Sequence, residues 1–234
     1  MLISGSSISR LGIPVGPLIA IAFSFAAPVA VVDAADAPSA SRSGEEGWKL
    51  VTQSGGITIY NRPKKDSGIE EIKAVGVIDA RPVVIKRVLD DTDEYPHFMP
   101  YVTESRIIAR EGASLIGYQR LSPPLVSDRD YTMRIRYETR ETADGMCYCN
   151  RWEAANDLGP AEKKGVARVK VNQGYWLLEP TAGGRQTRAT YCVYSDSGGS
   201  IPAALINAAN RTAIPKLFEC VGKQAKLERY NAQK

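Results

Sequence analysis

The chain has 234 residues, 44% of them apolar, and a net charge of +4, which suits one globular domain plus a short additional segment. The positive excess is mild and spread without a run of five or six like charges. That argues against nucleic acid as a partner and leaves a modest attraction to anionic membrane surfaces.

In chain order, Arg10 is followed by "LGIPVGPLIAIAFSFAAPVAVVDAADA". A positive charge, an apolar run and small residues at its end are the pattern of an export signal, so residues 1–37 are expected to be removed after Ala34 or Ala37. An uncleaved anchor is the alternative, but Pro14, Pro17 and Pro28 interrupt the run. Residues 38–46 read as a linker, 47–230 as the domain and 231–234 as a tail. Removing Arg10, Asp33 and Asp36 with the signal raises the net charge to about +5. The mature protein is expected to be exported, in a periplasm or secreted.

Glu45, Glu46 and Trp48 are predicted to lie on a short helix halted by Gly55 and Gly56, with an alternating strand through Ile57 and Ile59 after it. "IEEIKAVGVIDA" is a second strand. Pro82 opens a helix whose Val84 and Val88 share one face, and "DTDEYPHFMP" follows as an acidic turn.

Six strands are predicted next, separated by turn signals: "YVTESRIIAR", "SLIGYQRL", "DYTMRIRYETR", "MCYCNRWEA", "VARVKVNQGYWLLEP" and "QTRATYCVYSD". Without crossover helices between them, one antiparallel meander of about eight strands is expected, and a strongly twisted sheet of that size curls. A long helix over 198–227 closes the chain. Pro202 is harmless near its start, whereas Pro215 is predicted to bend or split it near 211–214.

The residue types support no catalytic set. Asp90, Asp91, Asp93 and Glu94 read as a solvated surface, and His97, the single histidine, has no partner at a catalytic spacing. Cys147 and Cys149 lie two apart on one strand and cannot easily meet; with Cys192 and Cys220 they read mainly as free thiols, one disulfide being the alternative. No metal or cofactor motif is present.

Alternation in "RDYTMRIRY" is more informative. Arg129, Tyr131, Met133, Ile135 and Tyr137 fall on one face, apolar but carrying phenols, which suits a cavity wall that fixes one polar end of a greasy molecule. Tyr118, Trp152 and Trp176 are candidates for the same wall. On the last helix Asn207 and Arg211 share a side four residues apart, with Ile214 on the same element.

"GGSIPAALINAANRTAIPKLFECVGK" resembles the terminal helix of START-type lipid-transfer domains. "SDRDYTMRI", "KKGVARVKVNQGYWLLEP" and "GWKLVTQSGGITIYNR" are similar to three further segments of that family, in the same order, so the likeness runs from Trp48 to Leu227. The resemblance implies an α+β helix-grip fold: a curved antiparallel sheet wrapped around a long C-terminal helix, with an internal hydrophobic cavity. It also implies noncatalytic binding and transfer of a phospholipid, sterol or similar lipid, with transient membrane contact. The positions near Tyr118 and Ile135 are uncharged, unlike those of some sterol carriers in the family. "DEYPHFMPYV" is similar to the wider superfamily that includes aromatases and cyclases, so a cyclase- or hydrolase-type enzyme on a hydrophobic small molecule is the alternative. The expected ligand-binding set is Tyr118, Arg129, Tyr131, Met133, Ile135, Trp152, Asn207, Arg211 and Ile214.

Overall fold

The computed structural model describes residues 47–124, 126–197 and 201–232; the expected signal segment and linker lie outside these. At the front, β1 (Lys49–Ser54) and β2 (Ile57–Pro63) form a hairpin where a helix was expected. The cause is the Gly55–Gly56 pair, at φ +58° and +77°. Two consecutive left-handed residues make the tight turn whose twist matches an antiparallel ribbon, and Ser54 pairs with Ile57 across it.

After β3 (Glu70–Ile78), α1 (Pro82–Asp90) has proline in its first turn and buries Val84, Ile85, Val88 and Leu89. The acidic stretch is not an open turn. It winds through a single 3-10 turn into the one-turn helix α2 (Tyr95–Phe98), held by the Tyr95 hydroxyl, which donates to the Leu89 carbonyl at 2.6 Å.

The remaining strands are β4 (Val102–Glu111), β5 (Ser114–Leu121), β6 (Arg129–Thr142), β7 (Gly145–Ala154), β8 (Ala167–Arg168), β9 (Val171–Thr181) and β10 (Gln186–Asp196). They build a ten-stranded sheet in the order β1-β2-β3-β10-β9-β7-β6-β5-β4, with the two-residue β8 pairing parallel to β6. The expected meander therefore breaks at two places. The strand expected over 166–180 divides into β8, which leaves to pair with β6, and β9. α1 and α2 carry the chain from β3 to the far edge at β4, and β10 returns to pair with β3.

α3 (Ala203–Gln224) runs without interruption through Pro215, so the predicted split is absent. Proline inside a helix costs about 3 kcal/mol. Ile214 and Phe218 flank it and are both 4% exposed, and burying two such side chains contributes about 3–6 kcal/mol, enough to hold the helix together. Its C-terminal half presses on β3: a Cβ on Gly76 would stand 3.2 Å from the Phe218 ring, and one on Gly222 3.7 Å from Ile78. Phe218, Val221, Ile72, Ile78, Leu178 and the buried face of α1 make up one core. The short α4 (Glu228–Asn231) is pinned by Tyr230, whose hydroxyl donates to Asp91 at 2.8 Å.

Candidate functional site

Cross-strand register defines the sheet face turned toward α3. Ala74 stands opposite Tyr191, Tyr191 opposite Trp176, Trp176 opposite Asn150, Asn150 opposite Tyr137, and Met133 opposite Gly117. Period-two alternation then adds Tyr131, Ile135, Trp152 and Asn172 to that inner face.

This face has two regions. Near β3, Ile72, Ala74, Leu178 and Ala189 are at most 1% exposed, as close packing requires. Farther along, Tyr131, Ile135, Tyr137, Trp152 and Tyr191 face the same way from interior strands and are only half-buried. Their surroundings are nonetheless dry. Burial raises the Tyr131 and Tyr191 phenols well above their ordinary value, and it raises Tyr95, beside Tyr137 and Asp90, in the same way. Tyr137 is pushed up to about 12 by burial first and Asp90 second. A filled core gives desolvation without remaining accessible surface. Tyr131, Tyr137 and Tyr191 combine the two, as side chains facing a space between sheet and helix would.

The wall of this region is mostly aromatic. Trp152 stacks on Tyr191 at 5.7 Å and 27°, Tyr191 meets Trp176 at 4.8 Å, and Trp176 meets Phe218 of α3 at 5.0 Å. The stack depends on Gly174, where a Cβ would fall 2.5 Å from the Trp152 ring and 2.2 Å from the Cys192 carbonyl. Polar groups are few and mutually held. The Tyr131 hydroxyl donates to Gln119 Oε1 at 2.8 Å, Trp152 Nε1 donates to Asn172 Oδ1 at 3.1 Å, and the Asn172 amide reaches the Met133 sulfur at 3.7 Å. Such a wall can accommodate apolar chains and offer a small number of directional hydrogen bonds. The raised phenols stay protonated near neutral pH and so act as donors.

The expected residues separate on this frame. Arg129, Tyr131, Met133, Ile135 and Trp152 share the inner face. Tyr118 pairs with Thr132 on the opposite face, where it is 0% exposed and donates to Asp130 Oδ2 at 3.1 Å. Arg168 also binds Asp130, at 2.6 Å, so Tyr118 belongs to a buried cluster behind the sheet.

Asn207 and Arg211 instead tie α3 to the start of β3. The Asn207 amide donates to the Gly68 carbonyl at 3.2 Å and accepts from the Glu70 N–H at 3.1 Å, while Arg211 pairs with Glu70 at 3.0 Å. Ile214 is in the packed core. Sequence reasoning put Tyr137 on this face, though outside the expected ligand-binding set, and missed Gln119, Asn172 and Tyr191. Alternation within each strand was visible, but which face turned inward depended on long-range pairing. Cys147, Cys149, Cys192 and Cys220 are free thiols, the first three buried.

Comparison with known proteins agrees with this architecture. The model of the family described as "Polyketide cyclase / dehydrase and lipid transport" matches residues 78–221, more than half of the chain. An uncharacterized protein of Pseudomonas aeruginosa is 30% identical over 164 residues, covering 70% of this chain and 79% of its own length. The phosphatidylcholine transfer protein of Mus musculus is 27% identical over 175 residues, covering 74% and 80%. Among solved structures, a STAR-related lipid transfer protein fragment from Xanthomonas axonopodis superposes with a TM-score of 0.70 at 27% identity, over 78% of this chain and 100% of its own. Human STARD10 gives 0.68 at 20% identity, over 81% and 78%, a likeness of fold. The chain therefore belongs to the polyketide cyclase/dehydrase and lipid transport family, and its fold is the START-type helix grip.

Proposed function

We propose that the protein is a noncatalytic lipid carrier that holds its cargo between the inner face of the sheet and α3. The observation that carries this reading is the half-buried inner-face set Tyr131, Ile135, Trp152 and Tyr191 on interior strands, with the Tyr131 and Tyr191 phenols raised by burial. The lipid-transfer proteins of Mus musculus and Xanthomonas axonopodis support it by similarity over most of the chain. Burying a lipid tail gains about 0.8 kcal/mol per methylene relative to water, but almost nothing relative to a bilayer. Cargo is therefore loaded and released during transient contact with a membrane surface, helped by the mild positive charge. The apolar N-terminal run with its small-residue end supports, separately, a mature protein outside the cytoplasm after removal of residues 1–37.

Transfer of a fluorescent phospholipid between donor and acceptor vesicles tests the proposal. A carrier present far below the lipid concentration moves many lipids per protein, and all are recovered chemically unchanged. Failure to accelerate transfer would overturn it. Conversion of the lipid would favour the cyclase- or hydrolase-type alternative that the family description also covers.

A further inference from the structure

Arg129 opens β6, with Leu121 and Ala167 as its neighbours on the two adjacent strands. Alternation puts it on the face of Tyr131, Met133 and Ile135, and it is 6% exposed. Its Nη1 donates to the Ser127 carbonyl, while its Nε is enclosed without an acceptor. Neither flanking carboxylate neutralises it. Asp128 is held by Arg120 and Ser122, and Asp130 by Arg168 and Tyr118 on the other side of the sheet.

A guanidinium stays ionised in proteins, although burial alone lowers the Arg129 pKa from its usual value. A buried charge without a counter-charge costs several kcal/mol, and among the described residues no carboxylate pairs with Arg129. The planar fork of Arg matches two oxygens of one acidic group better than any other side chain.

We propose that a phosphate or carboxylate of the cargo docks on Arg129, and that the acyl portion runs inward along Met133 and Ile135. At ~3.3 Å per strand residue, the wall from Arg129 to Ile135 is ~20 Å long, which gives a long tail room beyond the anchored head. This inference rests on the lipid-carrier reading and narrows it, because lipids without an acidic oxygen group, such as diacylglycerol, are disfavoured.

The test uses mixed vesicles containing phosphatidylcholine, oleic acid and diolein in fixed proportion. Because all three share one surface, membrane docking is the same for each. The protein is separated from the vesicles and its bound lipid identified by mass spectrometry. The wild type is expected to enrich phosphatidylcholine or oleate over diolein by about tenfold, equivalent to ~1.4 kcal/mol. Which of the two is enriched distinguishes a phosphate from a carboxylate.

Arg129→Gln is expected to bring the enrichment close to one while diolein is still loaded, and Arg129→Lys to retain part of it. Equal loading of all three by the wild type overturns the inference and leaves the carrier reading intact, and so does enrichment that survives Arg129→Gln. If no lipid of any kind is loaded, the carrier reading itself fails. Should Arg129→Gln not fold, the wild-type ratio still decides the cargo class, and a partial or complete fall of enrichment in a folded Arg129→Lys would support the assignment to this residue, whereas undiminished enrichment would oppose it.

Discussion

Ile135 sits at the centre of the accessible inner face, opposite Trp152 on β7 and Leu115 on β5. Enlarging a residue in a filled core costs about 1–3 kcal/mol, whereas the same atoms placed in a hollow meet little resistance. Ile135→Trp is therefore expected to leave Tm within a few degrees of the wild type and to reduce lipid uptake at least about tenfold. A large fall in Tm with uptake preserved would show that Ile135 is packed solid. At this scale the sequence was partly legible. "RDYTMRIRY" announced the alternation of Arg129, Tyr131, Met133 and Ile135 because period two is local. Tyr118 was misgrouped because its face depends on the β5–β6 register, which puts it opposite Thr132 rather than Tyr131. Gly174 shows the same limit: its role comes from Trp152, a neighbour one strand away.

At the level of elements, α3 is held differently along its length. The C-terminal half buries Phe218 and Val221 in the core, while the N-terminal half leaves Leu205 61% exposed and relies on Asn207 and Arg211 to grip residues 68–70. Asn207→Ala strands the Gly68 carbonyl and the Glu70 N–H, at a cost of about 1–3 kcal/mol. Hydrogen exchange is expected to accelerate over 203–211 and not over 216–224, with faster lipid exchange between vesicles. Uniform acceleration along the helix, or unchanged lipid exchange, would mean that the front half does not gate the interior. The long helix, its proline and its Asn–Arg pair were all visible beforehand. Continuity through Pro215 was not, because it depends on burial of the flanking Ile214 and Phe218, a tertiary effect that overrides local propensity. The Gly55–Gly56 hairpin was misread for another reason: a glycine pair both ends helices and makes two-residue turns, and only the pairing of β1 with β2 separates the two.

Across the whole molecule, the dry phenols link stability to pH. Tyr118, Tyr137 and Tyr175 are raised to about 12, chiefly by burial, with Tyr95, Tyr131 and Tyr191 raised as well. A folded pKa above the unfolded value of about 10 contributes stability that is fully present below pH 10 and lost as pH rises toward the folded value. Stability is thus expected to fall between about pH 10 and 12. A large part of the phenolate absorbance should appear in one cooperative step together with loss of secondary structure. Full ionisation near pH 10 with the fold intact would contradict the dry interior.

The sheet's strand order was only half legible, since a run of strands separated by turns foretells antiparallel neighbours but not the return of β10 to β3. That closure curves the sheet and brings the aromatic face beneath α3, and in a lipid carrier the space so enclosed receives the lipid. Native mass spectrometry of the gently purified protein after incubation with phospholipid vesicles tests it most directly. The expected spectrum shows a noncovalent mass increment that matches a lipid, is removed by organic solvent and is lost in Ile135→Trp. A bare polypeptide mass under every loading condition would contradict it.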